Sequence, residues 1–276
     1  MKLIADSGST KTDWALVDEE NISRFSTQGI NPFHQTENWI MAVLSAELLP
    51  HLQGNAVDYV WFYGAGCTAD KAPILKSCLE KTLGKAVNVE VASDMLGAAR
   101  SLLKNEEGIA CILGTGANSC YYDGKEIREN VSPLGYILGD EGSGAYIGKR
   151  LVGDVLKHQF SDEVCGMFFN ETHLDAPTVI NKVYRESMPN RFLGQVSQFC
   201  QNHRDNPEIH AFLMDCFREF FKRNIVNYHR PHLPVCFIGS VAWIYEQEIR
   251  EIASDMGMMV SLVSRAPMDG LIEYHN

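Results

Sequence analysis

The sequence predicts an α/β protein of two domains, and three observations predict it. Strand-like apolar runs alternate with segments of helical spacing through the first hundred or so residues. A strand, a turn rich in Gly, Ser and Thr, and a second strand occur twice, roughly a hundred residues apart, which marks an internal repeat. The chain has 276 residues with 45% hydrophobic content, enough for more than one core.

Each element follows in order. Residues 2–5 form a short apolar strand that ends in Asp6-Ser7-Gly8-Ser9-Thr10-Lys11-Thr12, and residues 13–17 resume an extended pattern. Asp18-Glu19-Glu20-Asn21 makes the next turn, and residues 22–27 read as a third strand. The loop Gln28-Gly29-Ile30-Asn31-Pro32 leads to a helix over residues 36–49, where Trp39, Ile40, Val43, Leu44 and Leu48 keep helical spacing. Residues 57–63 are a near-continuous apolar run, as in a buried strand, ended by Gly64-Ala65-Gly66. A helix over 71–83 closes at Gly84, a strand follows over 87–92, and Ser93-Asp94 opens a helix through 103. The polar connection 104–108 is the predicted domain boundary.

The second half begins with the repeat. Residues 109–113 are strand-like, Gly114-Thr115-Gly116-Ala117-Asn118 breaks the run, residues 119–122 resume it, and Asp123-Gly124 is a hairpin turn. Gly139-Asp140-Glu141-Gly142-Ser143-Gly144 then places two acids between glycines ahead of a helix. Helices are predicted over 143–160, 176–186, 190–202, 207–229 and 242–255, with strands over 235–238 and 258–263 and a closing helix from Pro267. These last strands complete a second sheet.

Charge and composition narrow the function. Twenty-four basic against 35 acidic residues give a net charge of −11, a balance that repels nucleic acid and anionic membranes. The amino terminus lacks the apolar core of a signal peptide, and no run approaches the ~18 apolar residues of a membrane span. The chain reads as cytoplasmic. Its eight cysteines are scattered without a CxxC pair, which predicts reduced, mostly buried thiols rather than disulfides or structural zinc.

The Gly-rich turns carry the chemistry. Tight turns of Gly, Ser, Thr and Asn expose backbone N–H groups and hydroxyls that suit phosphate oxygens. Together the turns point to a nucleotide and substrate site, although each alone reads as a solvated loop. Asp6 is either an Asx-turn residue or an acid that holds Mg²⁺ near phosphates. Ser9, Thr10 and Lys11 can donate to those phosphates. Neither a Walker A loop nor a GxGxxG fingerprint is present. Asp94 follows a buried strand and is either a helix N-cap or a general base. Asp140 and Glu141 suit a helix start, or are placed to meet sugar hydroxyls or a metal. Gly239-Ser240 is a plain turn or a place where backbone lies against a flat ligand such as adenine.

These residues resemble the N-acetylglucosamine kinase group of the sugar-kinase/actin/heat-shock-chaperone ATPase superfamily, near the ATPase activators of aromatic-acyl-CoA reductases. The resemblance covers nearly the whole chain. The first hairpin with Asp6 is similar to the phosphate-1 motif, and residues 114–119 to phosphate-2. Ser93-Asp94 with Gly97-Ala98-Ala99 is similar to the connecting segment that carries the catalytic acid, and residues 237–241 to the adenosine motif. Gly139-Asp140-Glu141-Gly142-Ser143 matches the group's GDEGS signature. GDEGS with GTG-x-N is a specific pair; the other motifs are weak singly.

The resemblance implies two ribonuclease-H-like domains, residues 1–106 and 107–276, with a cleft between them that holds ATP and sugar. The second carries extra helices, and the last helix can pack back on the first. It implies transfer of the γ-phosphoryl of MgATP to the 6-hydroxyl of N-acetylglucosamine or a related hexose. Asp94 would be the base and Asp6 would act on Mg²⁺. Ser9, Thr10, Lys11, Thr115 and Gly116 would face the phosphates, and Gly239 and Ser240 the adenosine. Asn31, Asn118, Gly135, Asp140 and Glu141 would face the sugar. The expected partners are ATP and a small sugar, with a homodimer compatible with the family. An acyl-CoA reductase or dehydratase ATPase activator and a non-catalytic sugar or nucleotide sensor are the alternatives. One departure is Leu134, in Ser132-Pro133-Leu134-Gly135-Tyr136, where the family often carries an aromatic.

Overall fold

The computed structural model describes residues 1–276 other than Ser9, Glu19 and Glu20, so the predicted turns at 6–12 and 18–21 lie partly outside the described residues. The chain divides into two compact units, Met1–Asn105 with Ala266–Asn276, and Glu106–Arg265.

The first unit is built on β1 (Lys2–Ser7), β2 (Lys11–Val17), β3 (Ile22–Gln28), β4 (Tyr59–Gly64) and β5 (Asn88–Ser93). Their order in the sheet is β3-β2-β1-β4-β5. The first three pair antiparallel, and β4 and β5 run parallel to β1. Apolar residues occupy both faces of β1 because both faces are covered. Leu3 and Ala5 pack with Trp14, Val60, Phe62 and the helix Ala72–Leu83 on one side. Ile4 packs with Ala15, Tyr63, Leu271 and Ile272 on the other.

The helix Met268–His275 supplies that second cover. Ser101 Oγ donates to the Pro267 carbonyl at 2.9 Å, and Lys104 Nζ donates to the Gly270 carbonyl at 2.6 Å. At its end, His275 stacks on Trp61 and meets the Tyr63 hydroxyl at 2.8 Å. The last helix therefore belongs to the first unit.

The second unit repeats the plan with β6 (Glu107–Leu113), β7 (Ala117–Asp123), β8 (Ile127–Glu129), β9 (Val235–Ile238) and β10 (Val260–Ser264). The order β10-β9-β6-β7-β8 has the same connectivity as the first sheet, with β9 and β10 parallel to β6. The repeat visible in the two hairpins thus extends to all five strands. The units differ in what joins the third strand to the fourth. In the first, one helical stretch, Glu37–Val43 continued through Leu44–Leu48 and Leu49–Leu52, makes the crossing. In the second, a set of helices between Gly144 and Arg223 does so, around a core rich in buried phenylalanines.

Boundaries differ from the sequence expectation in several places, among them the helix predicted over 207–229, whose α-helical part ends at Arg223, and the one predicted over 242–255, broken at Tyr245. The helix predicted over 143–160 ends at Leu156, and the one predicted over 190–202 is broken at Ser197 into Pro189–Val196 and Gln198–Asn202. A helix absent from the sequence reading spans Asp162–Thr172. Ser161 caps it through Val164 N–H, and its buried side is only Val164, Cys165 and Phe168. All eight cysteines are buried and free. Among the described residues no helix is long and apolar enough to cross a membrane.

Candidate functional site

In the first unit the site residues gather where the parallel strands end. Ser7, Gly64 and Ser93 stand in register at the C-terminal ends of β1, β4 and β5, the edge where open α/β sheets receive ligands. Asp6 lies one position back on β1 and is the cross-strand partner of Asp13 on β2. Burial first, then the charges of Asp13 and Asp94, push the Asp6 carboxyl up to about 7, partly offset by Lys11. Lys11 pairs with Asp13 at 2.9 Å, and Asp13 also accepts from Ser26 Oγ at 2.6 Å. The sequence reading missed Asp13, which faces Asp6 and holds the ammonium expected to reach phosphate.

The hairpin is anchored from below. The buried hydroxyls of Ser7 and Thr12 lie 2.6 Å apart, and both accept from Ile30 N–H, at 3.0 and 3.2 Å. Gly8 N–H donates to the Lys11 carbonyl at 3.0 Å, leaving Gly8 and Thr10 exposed at the tip. Ser9 lies outside the described residues. The same anchoring fixes Asn31, which is buried. Its Oδ1 accepts from Phe33 N–H at 3.0 Å, and its own N–H donates to Gln35 Oε1 at 2.7 Å.

Asp94 begins the helix Asp94–Leu103, but Ser93 is the N-cap, its Oγ accepting from Leu96 N–H at 3.2 Å. Asp94 is therefore not needed as a cap. Its Oδ1 accepts from the adjacent Met95 N–H, at 2.9 Å. Burial raises its carboxyl above the ordinary range, opposed by the N–H groups of Met95 and of Asp94 itself. The buried Cys67 thiol, pushed up to about 12 by burial and by the Asp94 charge, lies in the same surroundings.

In the second unit the turn after β6 and the GDEGS segment are joined by the helix Gly144–Leu156. Gly114 N–H donates to the Gly116 carbonyl at 2.9 Å and closes the turn. The first N–H groups of the helix, those of Gly144 and Ala145, donate to the carbonyls of Gly114 and Thr115 at 2.9 and 3.1 Å. Helix N-terminal donors that would otherwise lack partners thus hold the turn by its carbonyls. Ser143 caps the helix through Tyr146 N–H at 3.1 Å, and its own N–H donates to the Asp140 carbonyl at 3.0 Å.

That arrangement brings Thr115, Gly116 and Asp140 together. A Cβ on Gly116 would lie 3.1 Å from Asp140 Oδ2. Asp140 is buried, with its backbone left-handed at φ 54°, and faces the Ala117 N–H. Burial raises its carboxyl, Glu141 adds to the rise, and Lys149 and the Ala117 N–H oppose it. Glu141 is buried too and has Arg223 3.6 Å away. Asn118 Oδ1 accepts from Ser119 N–H and from Asn130 Nδ2, both at 2.9 Å. Gly135 sits in an exposed segment ahead of Asp140.

Gly239, at the end of β9, has φ 121°, and a Cβ there would lie 2.3 Å from the Leu113 carbonyl oxygen. The close approach that demands glycine is to the end of β6, and this places the Gly239-Ser240 turn beside Gly114. Ser240 is exposed at the start of the helix Ser240–Ile244. The structure thus groups Asp6 with Asp94 in one unit, and Thr115, Gly116, Asp140 and Gly239 in the other. Besides Asp13, sequence reasoning missed Lys149 and Arg223, which come from helix turns beyond the motifs.

No family model matches the chain, and no curated protein does. Among solved structures, a "Putative N-acetylglucosamine Kinase" from Porphyromonas gingivalis is 48% identical, with 100% of this chain and 98% of that one covered and a TM-score of 0.94. The chain belongs to the N-acetylglucosamine kinase group of the sugar-kinase/actin/heat-shock-chaperone ATPase superfamily. A structure of the same name from Chromobacterium violaceum is 17% identical over 100% of this chain and 98% of that one, with a TM-score of 0.75. A ROK hexokinase from Thermus thermophilus is 14% identical over 99% and 96%, with a TM-score of 0.58. These two share the fold: each unit of this family member is a ribonuclease-H-like α/β domain, the second enlarged by helices.

Proposed function

We propose that the protein is an ATP-dependent sugar kinase that transfers the γ-phosphoryl of MgATP to the 6-hydroxyl of N-acetylglucosamine or a related amino sugar. The observation that carries this reading is Asp94: a half-buried carboxylate at the parallel-strand edge, with its pKa raised by desolvation, in a helix already capped by Ser93. A carboxylate of that kind suits a general base. The printed name of the 48%-identical relative supports the substrate class.

In this reading Asp94 accepts the proton of the attacking hydroxyl as its oxygen bonds to the γ-phosphorus and ADP leaves. Thr10, Thr115 and the N–H groups of the 114–116 turn position phosphate oxygens, with Ser9 and Lys11 at the first hairpin. Gly239 and Ser240 lie against adenosine. Asn31, Asn118, Gly135, Asp140 and Glu141 orient the sugar. Phosphoryl transfer depends mainly on such positioning and on charge neutralisation.

The residues present fit a magnesium ion. Asp6 is a half-buried carboxylate crowded by the charges of Asp13 and Asp94, which a hard divalent cation would relieve. Among the described residues no cluster of three or more ligands forms a protein cage. That suits an ion bound through one carboxylate, water and phosphate oxygens. When bound, Mg²⁺ supplies neutralisation of the phosphate charge. A reducing compartment that holds ATP, the cytoplasm, suits a chain with eight buried free thiols.

The test is ADP release with MgATP across a panel of hexoses and amino sugars. Turnover stimulated by N-acetylglucosamine and lost in Asp94→Asn supports reaction and base together. ATP-binding protein without turnover on any sugar overturns the reading.

A further inference from the structure

Lys149 lies on the helix Gly144–Leu156, beyond every motif used above, yet it reaches back over the sugar segment. Its Nζ donates to the carbonyl of Tyr136 at 2.7 Å and to that of Ile137 at 3.3 Å. These carbonyls belong to the short helix Gly135–Leu138, whose last acceptors have no partner within so brief a helix. Its ammonium also faces the charges of Asp140 and Glu141, while burial pulls its pKa down.

Most of the segment it holds faces outward. Leu134, Ile137 and Leu138 are 61%, 68% and 72% exposed, and Tyr136 is the apolar side chain of the short helix that packs against the core. Leu134 and Asp140 bracket the segment in left-handed backbone, at φ 61° and 54°. Asp140 N–H closes the loop on the Pro133 carbonyl at 2.9 Å, and Gly139 N–H bonds the Gly135 carbonyl at 2.8 Å. Lys149 ties the middle of this loop to the body of the long helix, as Ser143 N–H ties its end at the Asp140 carbonyl, and the N-terminus of that helix holds the Gly114–Thr115 turn.

We infer that Lys149 is a positioning residue that fastens the Gly135–Asp140 segment to the helix through the Tyr136 and Ile137 carbonyls, so setting affinity for the sugar. The inference rests on the sugar-kinase reading above. The groups that face Asp140 are Glu141, which opposes its ionisation, and Lys149 and the Ala117 N–H, which favour it; Arg223 faces Glu141.

Two measurements on Lys149→Met, which keeps an apolar stem and removes the donors, test it. In the free protein, amide exchange of residues 135–139 should speed up relative to wild type, with exchange of the Gly144–Leu156 helix interior unchanged. This measurement does not depend on activity. In steady-state assays with MgATP, the sugar KM should rise about tenfold, the loss expected for a charge-assisted hydrogen bond. kcat and the KM for ATP should stay near wild type. Lys149→Arg should restore most of the KM. Unchanged exchange together with an unchanged sugar KM in Lys149→Met overturns the inference. Wild-type protein without sugar-dependent turnover overturns the kinase reading instead, and the exchange result then judges the tether alone.

Discussion

Gly116 and Asp140 are fitted to each other: the space a Cβ would take at 116 ends 3.1 Å from the Asp140 carboxylate oxygen Oδ2. The GTG turn and the GDEGS segment are therefore parts of one surface. Glycine at 116 leaves room for a buried acid, and the helix Gly144–Leu156 keeps both in place.

A test follows directly. In Gly116→Ala the added methyl must displace the carboxylate by a few tenths of an ångström, and in Gly116→Val by more. Because Asp140 is assigned to the sugar, the sugar KM should rise in both variants, more in Val than in Ala. The Tm of Gly116→Ala should stay within a few degrees of wild type, since the neighbour that gives is a side chain. Equal sugar KM values in wild type and Gly116→Val would remove Asp140 from sugar binding.

Asp94→Asn separates the base from the fold. The amide keeps the volume and can still accept from Met95 N–H, and Ser93 goes on capping the helix. Stability should be held or improved, because a half-buried acid with a raised pKa is replaced by a neutral group. Sugar-dependent kcat should fall by about 10²–10⁴, the range for removal of a positioned base. In wild type, kcat should increase with pH through a limb above the ordinary carboxylate range, because only ionised Asp94 accepts the proton. A variant with full turnover would exclude Asp94 as the base.

The ends of the strands were legible in the sequence for a plain reason. Apolar runs that stop at Asp6 and at Ser93-Asp94 mark strand ends, while the turn residues after them read singly as solvated loops or caps and gain meaning only together. The Asp6–Asp13 relation was not legible, because cross-strand partners depend on the exact register across a turn. Nor was the helix Asp162–Thr172, whose buried side of three residues gives a faint period between longer helices. Lys149 was hidden for a third reason. Its acceptors are backbone carbonyls 13 and 12 residues earlier, and carbonyls carry no mark in a sequence.

Asp6 makes the folded protein sensitive to pH in a defined sense. Its carboxyl, ordinarily near 3.8, is held at about 7, so between those values the folded state keeps a proton that the unfolded chain has lost. Stability from this group is full at low pH and declines as pH rises toward about 7. Asp6→Asn should therefore gain Tm over wild type as pH rises from about 4 to about 7. MgCl₂ should raise the wild-type Tm most near and above pH 7, where the carboxylate is charged, and raise the Asn variant's less. A Mg²⁺ effect that is identical in both proteins would place the ion elsewhere.

His275 has the opposite sign. Half-buried against Trp61 and bonded to the Tyr63 hydroxyl, its imidazole falls to about 4, through desolvation and then the charges of Arg100 and Lys2. Between about 4 and its ordinary 6.5 the unfolded chain binds a proton that the folded state refuses, so stability is lost as pH falls through that window. The helix Met268–His275 is held at this end by His275 and by Lys2, whose Nζ donates to the His275 carbonyl at 2.6 Å. Acidification from pH 7 to 4.5 should thus loosen this helix ahead of the rest of its unit, seen as faster amide exchange over residues 268–275. His275→Gln removes the titrating ring, so its Tm should depend less on pH over the same interval while lying below wild type at pH 7. Parallel pH profiles for the two proteins would show that titration of His275 does not govern how the C-terminal helix is held.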